Sequence, residues 1–440
     1  MPQLNRFILL FAMVFVPINS AMSENWPQWR GPRGDGTSQE KRVPFRWDAE
    51  TGENIVWKAE LPGKGHSSPI VWQDRIFVTA CVEADQQRVL ICLDTQTGRQ
   101  VWRRDVLKSP LETVHKLNSY ASGTPATDGE LIYVAFLKID GKTIPAPNVG
   151  STRDVTPGQI ILTAIDFKGE PQWQADVGTF ISAHGFCSCP VLYKNLVIIN
   201  GDHDGESYLV ALDRLSGKEV WRTRREQGIR SYVTPIVRTI NERDQLVLSG
   251  SGHIASFDPL TGEMIWKVEG PTEQYVASMV FDGERFMMAA GFPTHHVMAV
   301  KPDGAGDVTK SHIAWHVDKY VRCYVPSPVL VGNNLFVADD RGTASCFASQ
   351  DGTRLWQDRL SGSFNASLVA TDQLAYFLSG DGVMKVVSPA KEFAVVAENK
   401  LGEACDASPA ISNGQIYIRG EKHLFRIGSS EKAVGDDAVD

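Results

Sequence analysis

Downstream of residue 23 the sequence has no apolar run that approaches the length of a membrane-spanning helix, which needs about 20 residues. An integral membrane segment is therefore not expected in the mature chain. There is no excess of basic residues either: 44 Lys and Arg stand against 52 Asp and Glu, a formal charge of −8. Nucleic acid or an anionic membrane as main partner would call for a basic patch, and none is present. No two of the seven cysteines are adjacent, and none precedes Cys81, so a lipid anchor on an N-terminal cysteine is not expected. His295-His296 lacks a third ligand at a predictable distance, and Asp202-His203-Asp204-Gly205 is half a calcium loop without the distal acids. It reads as a plain hairpin turn, and no metal is assigned.

The chain opens with Arg6 followed by the apolar run Phe7–Val16. Ten residues are too few to span a bilayer but suit a secretory signal, and Ala21 and Ser23 offer small residues for cleavage. Residues 1–23 are thus read as a signal peptide, and the mature chain as exported to the periplasm or beyond. An odd number of cysteines leaves at least one unpaired in a monomer. Cys81 and Cys92 form a candidate pair if a hairpin turns between Gln86 and Gln87, with two buried thiols as the alternative because a direct cross-strand disulfide is strained. Cys187 and Cys189 are too close in sequence to bridge well.

What is abundant is a repeat. Ala211–Trp221 runs Asp213, Gly217, Trp221; the same frame recurs as Asp94, Gly98, Trp102, as Asp258, Gly262, Trp266, and in part as Gly352, Trp356. Asp166, Gly169 and Trp173 keep it in a shorter turn, and a longer one ends on Trp315. Asp caps backbone amides and Gly accepts a positive φ, so the chain reverses at a fixed place. Trp then opens a strand with a ring that one small sheet cannot bury alone. Units that must bury one another make a repeat fold.

A second marker opens each unit: Ser68-Pro69, Thr124-Pro125, Cys189-Pro190, Thr234-Pro235, Ser327-Pro328 and Ser408-Pro409, with Ser278 and Ser367 in the two remaining places. Each opening leads through an apolar run, a tight turn, two more strands and the Trp strand. Eight four-stranded antiparallel meanders at this spacing predict an all-β, eight-bladed β-propeller over residues 54–428. The last unit lacks its Trp strand, and Asn54–Leu61 with Trp57 supplies it from the other terminus, closing the ring. Trp57, Trp102, Trp173, Trp221, Trp266, Trp315 and Trp356 are the expected structural tryptophans; blade 7 carries Val395-Val396 instead. Residues 24–53, with Trp26-Pro-Gln-Trp-Arg-Gly-Pro32, form an N-terminal arm read as an apolar plug of the channel or rim rather than a ligand site. Residues 429–440 are an acidic tail.

The Asp-x-x-Thr/Ser-Gly-x-x-x-Trp repeat resembles the pyrroloquinoline-quinone-type propeller superfamily, which includes quinoprotein alcohol dehydrogenases and BamB-like components of outer-membrane protein assembly. The opening Trp-Pro-Gln-Trp-Arg-Gly-Pro resembles that of exported, planctomycete-type members. The resemblance implies the fold far more strongly than an activity. Quinoprotein enzymes use adjacent cysteines over the cofactor, a Trp beneath it and a Glu/Asn/Asp calcium set. This chain has no adjacent cysteines, so no cofactor is expected and pyrroloquinoline quinone in the central funnel is the alternative.

Strand parity places the irregular segments on one face: the blade-2 insert Lys138–Gly158, the loops Gly201–Glu206 and Gly291–His296, and the residues before each opening. His66, Tyr120, His184, Arg230, Tyr232, Tyr275, Arg322, Tyr324, Asn365 and Asp406 are expected around a central funnel there, with thiols at Cys323 and Cys405. Arg230 and Arg322 would make it locally positive. Such a set could hold a polar, anionic or sugar-like ligand, a solvated mouth without a small ligand being the alternative. No catalytic residue is assigned. The favoured reading is a monomeric binding or scaffolding module for an envelope protein, peptide or glycan; the alternative is a quinoprotein-type oxidoreductase.

Overall fold

The computed structural model describes residues 24–360, 362–389 and 392–428; the expected signal peptide and acidic tail lie outside them. Its regular structure is almost all strand, in eight sheets of four or five strands arranged as propeller blades and one two-stranded sheet in the blade-2 insert. Blade 1 is typical: Ile70–Trp72, Arg75–Val82, Gln87–Asp94 and Gln100–Lys108 follow one another from the axis outward. In the last sheet Ile55–Glu60 pairs antiparallel with His423–Ile427, so the N-terminal strand is the outer strand of blade 8.

The burial of each strand follows its place in the blade. In Arg75–Val82 and Gln87–Asp94 every interior residue is buried, because a neighbouring blade covers each face, and their sequences are near-continuous apolar runs. The outer strand Gln100–Lys108 alternates, since one face meets solvent.

The repeat's Trp and Gly turn out to be partners across blades rather than within one. Gly98 sits at φ 68, and a Cβ there would lie 2.7 Å from the ring of Trp57 in the preceding blade. No side chain fits, on conformational and steric grounds alike. Trp102 packs on Gly169, Trp173 on Gly217, Trp221 on Gly262 and Trp315 on Gly352 in the same way. Each indole also donates into the turn it covers: Trp57 to the Thr95 carbonyl at 2.9 Å, Trp173 to Arg214 at 2.9 Å, Trp221 to Pro259 at 3.2 Å and Trp315 to Ser349 at 2.8 Å. Asp94 shapes that turn by accepting the amides of Gln96 and Thr97.

The openings form a second lock nearer the axis. The Ser68 amide donates to Thr124 Oγ1 at 2.9 Å, Thr124 to Cys189 Sγ at 3.3 Å, Ser278 to Ser327 Oγ at 2.9 Å, Ser327 to Ser367 at 2.9 Å, Ser367 to Ser408 at 2.8 Å, and Ser408 back to Ser68 at 3.0 Å. A small side chain with an acceptor is needed at each step because it must reach the next blade's backbone where the blades converge.

The arm crosses the face that carries the tight turns. Trp26 is 1% exposed and exchanges backbone hydrogen bonds with Val71 at 2.8 Å. Asn25 caps the Gln73 amide, Glu40 accepts the amides of Asn413 and Gly414, and Asp35 meets Arg238. Arg30, 2% exposed, donates to the carbonyls of Ser327, Pro328 and Leu368 beside the axis. The arm thereby touches blades on all sides of the channel and stoppers it.

Cysteine pairing differs from the disulfide considered from the sequence. The turn after Val82 is a short 3-10 segment, Glu83–Asp85, which sets Cys81 opposite Arg88 and Cys92 opposite Phe77. The two thiols are separated along the hairpin, and all seven cysteines are free.

Candidate functional site

On the face opposite the arm the blades surround a cavity of about 680 Å³, a size common for small-molecule sites. Its walls come from the segments that precede the openings, from the blade-2 insert and from the loop at Phe292; its lower part reaches Cys189, Ser367 and the arm's Trp29. Trp29 lies there because its indole donates to Ser278 Oγ at 3.4 Å, at the opening of blade 5. The arm therefore supplies part of the site it stoppers.

Seven of the ten expected funnel residues line this cavity: His66, His184, Arg230, Tyr232, Tyr324, Asn365 and Asp406. Three do not. Tyr275 lies between Gln274 and Val276, which face the cavity, so its side chain turns the other way; it is fully buried and donates to the Gly270 carbonyl at 2.8 Å. Tyr120 packs on the core between blades 1 and 2, its ring 5.8 Å from the guanidinium of the buried Arg88. Arg322 is exposed and outside the cavity lining, because its segment stays beyond the rim, Tyr320 being 80% exposed, and enters the mouth only at Tyr324.

The expected positive funnel is modified accordingly. Arg230 is 4% exposed; its Nη1 donates to both Asp204 oxygens at 2.9 Å and to the Asn148 carbonyl at 3.0 Å. Asp202 binds the buried Arg225 at 2.6 Å. The acids of the Asp-His-Asp-Gly stretch are thus counter-ions to two arginines from the next connection. Asn148, at φ 53, is held by the Gly228 carbonyl at 3.0 Å, which docks the blade-2 insert on blade 4.

His184 stacks near His115, with centroids 5.1 Å apart, and near Tyr232 at 6.0 Å. Burial, followed by the nearby Arg230, pushes the His184 pKa down to about 3, so its ring is neutral. Burial also lowers His66, against the pull of Asp406 3.4 Å away. Asp406 accepts from Asn365 at 2.7 Å. Burial raises the Cys187 and Tyr324 pKa values, which leaves a thiol and a phenol in place of reactive anions.

His115, Arg153, Gln274 and Phe292 also line the cavity and were not singled out from the sequence. Arg153 lies inside the expected insert and Phe292 inside an expected loop, so their neighbourhoods were visible. Trp29 belongs to the arm expected as an apolar plug rather than a ligand site; it lines the cavity as well, because the plug reaches the cavity's lower end.

Residues 37–145, 145–279 and 312–392 match the family described as outer membrane protein assembly factor BamB. A curated relative of that description from Yersinia pestis is 24% identical over 357 residues, 72% of this chain and 85% of its own. Another, from Burkholderia pseudomallei, is 22% identical over 362 residues, 74% and 86% of the two chains. Among solved structures, BamB from Moraxella catarrhalis superposes with a TM-score of 0.59 at 13% identity over 85% of this chain and 99% of that one. A quinohemoprotein alcohol dehydrogenase from Comamonas testosteroni does so at 0.62 and 13% over 96% and 83%. At such identity these structures share the fold, which an assembly factor and a redox enzyme use alike.

Proposed function

Because the chain belongs to the family of the outer membrane protein assembly factor BamB, we propose that it is an exported binding and scaffolding propeller of the cell envelope that recognises a protein partner at its mouth. The observation that carries this reading is the state of the mouth's ionisable groups. Arg230 holds Asp204 through Nη1, Asp406 accepts from Asn365 through one oxygen, and the imidazole of His184, the Cys187 thiol and the Tyr324 phenol are held neutral. The mouth offers shape, ring faces and hydrogen bonds on a rigid frame, which is what recognition needs.

The quinoprotein alternative is disfavoured by the donor set. Cys187 and Cys189 both line the cavity, but Ser188 separates them and Cys189 Sγ accepts the Thr124 amide in the ring of openings. Among the described residues no three His, Cys, Asp or Glu side chains are grouped to hold a cation. These residues do not fit the quinone and its calcium ion.

Site-specific photo-crosslinking in cells tests the proposal. A photoreactive residue in place of the exposed Arg322, just outside the rim on the segment that enters the mouth at Tyr324, should give a discrete envelope-protein adduct that the same group in place of the exposed Glu50 in the arm does not. Identical adducts from both positions, or none from the rim, would overturn it.

A further inference from the structure

The cavity is polarised across its diameter. Arg230 precedes blade 4 and Asp406 precedes blade 8, and positions four blades apart in a ring of eight face each other. On the Arg230 side, Nη1 is saturated by Asp204 and Asn148, but Nη2 has no protein hydrogen bond among the described residues and is not sealed from solvent. Arg153, from the insert, is exposed at the same wall and has no ion-pair partner among the described residues. The two imidazoles beside them are neutral, so this wall's positive charge resides on guanidinium groups, which suit a carboxylate.

The opposite wall presents the acceptors. Asp406 has one oxygen engaged by Asn365 and the other loosely held at 3.4 Å from His66. Gln274 also lines the cavity, but its Oε1 is closed off from it. Between these walls stand flat apolar faces: Trp29 below, Tyr232 against His184, and Tyr324 with Phe292 at 6.0 Å. The complementary ligand carries one carboxylate, hydroxyl donors on its far side, and an apolar ring face for stacking. A neutral sugar lacks the first of these, and a simple organic acid lacks the second.

We propose that the cavity binds an acidic saccharide, a uronic-acid-type unit whose carboxylate meets Arg153 and Arg230 while its hydroxyls meet Asp406 and its ring stacks on the aromatic faces. This adds a small ligand to the same mouth, within the exported propeller proposed above. Arg153 sets the preference for an acid, and Trp29 and Asp406 set the fit to a sugar.

Titration calorimetry on the exported chain tests this with galacturonate, which carries one carboxylate, and its neutral methyl ester as probes. Galacturonate should bind, and the ester should bind about ten-fold more weakly for want of the charge-assisted contact to the arginines. Arg153→Ala should reduce that preference, Arg230 remaining, without moving the melting temperature, its side chain being exposed. Asp406→Asn should weaken both probes. Equal binding of acid and ester, no binding of either at millimolar concentration, or an unchanged preference in Arg153→Ala would each overturn the saccharide assignment. The two readings fail separately: loss of saccharide binding with the rim adducts intact removes only this inference, whereas loss of the adducts removes the recognition reading.

Discussion

An indole in this fold has two tasks, and the seven repeat tryptophans allow them to be separated. Trp315 packs on Gly352 and donates to Ser349 at 2.8 Å. Trp356 packs against Phe393 at 5.0 Å, and its buried Nε1 has no partner among the described residues. Blade 7 lacks the Asp/Gly turn that would accept it. Trp315→Phe should therefore cost about 1 kcal/mol in urea unfolding, and Trp356→Phe close to nothing; equal costs would mean that the hydrogen bond to the turn is irrelevant. Trp221→Ala, which also empties the space over Gly262, should cost about 3–5 kcal/mol. Arg230 behaves unlike the surface arginine expected from sequence alone. Its removal strands Asp204 in a buried site, so Arg230→Ala should cost about 3–5 kcal/mol. Burial already tends to raise the Asp204 pKa, so the deficit should shrink as pH falls and the carboxyl takes up a proton, a trend that thermal unfolding at two pH values would reveal.

Among the elements, the strand Ile55–Glu60 and the arm before it bind the two ends of the chain together. Pairing of Ala59 with Leu424 and of Lys58 with Phe425 joins the ends directly, and Arg30 ties the arm to the openings of blades 6 and 7. Deleting residues 24–62 should lower the melting temperature substantially, and an unchanged curve would contradict this account of closure. The blades were legible in the sequence because each carries a local signal: an Asp/Gly turn, a Ser-Pro step, an apolar run. The missing Trp strand after Ile427 even pointed to its replacement at Trp57. Side-chain direction in the loops was not legible. Tyr275 and Gln274 are neighbours, and one is core while the other lines the cavity, because loop segments follow no fixed alternation. Nor was the Arg230–Asp204 pair visible, since it depends on a fold-back between two connections distant in sequence.

At the scale of the whole molecule, several histidines are buried neutral, and that fixes the sign of the acid response. His184 and His253 are both depressed to about 3 by burial and nearby arginines. A histidine whose folded pKa lies below its unfolded value takes up protons preferentially in the unfolded chain, so its contribution is present above pH 6.5 and lost as pH falls towards 3. Melting temperature should decline across that window, and His184→Gln should make the decline shallower; a parallel curve for the variant would show that His184 is not the group titrating.

The arm's position has a consequence for how the protein comes into being. Its contacts are spread from Val71 in blade 1 to Asn413 in blade 8, so the arm, which is synthesised ahead of every blade, has no complete berth until the last blade has formed. Order of manufacture and order of docking run in opposite directions. Since Trp29 travels with the arm, the lower part of the cavity is finished only at that final step.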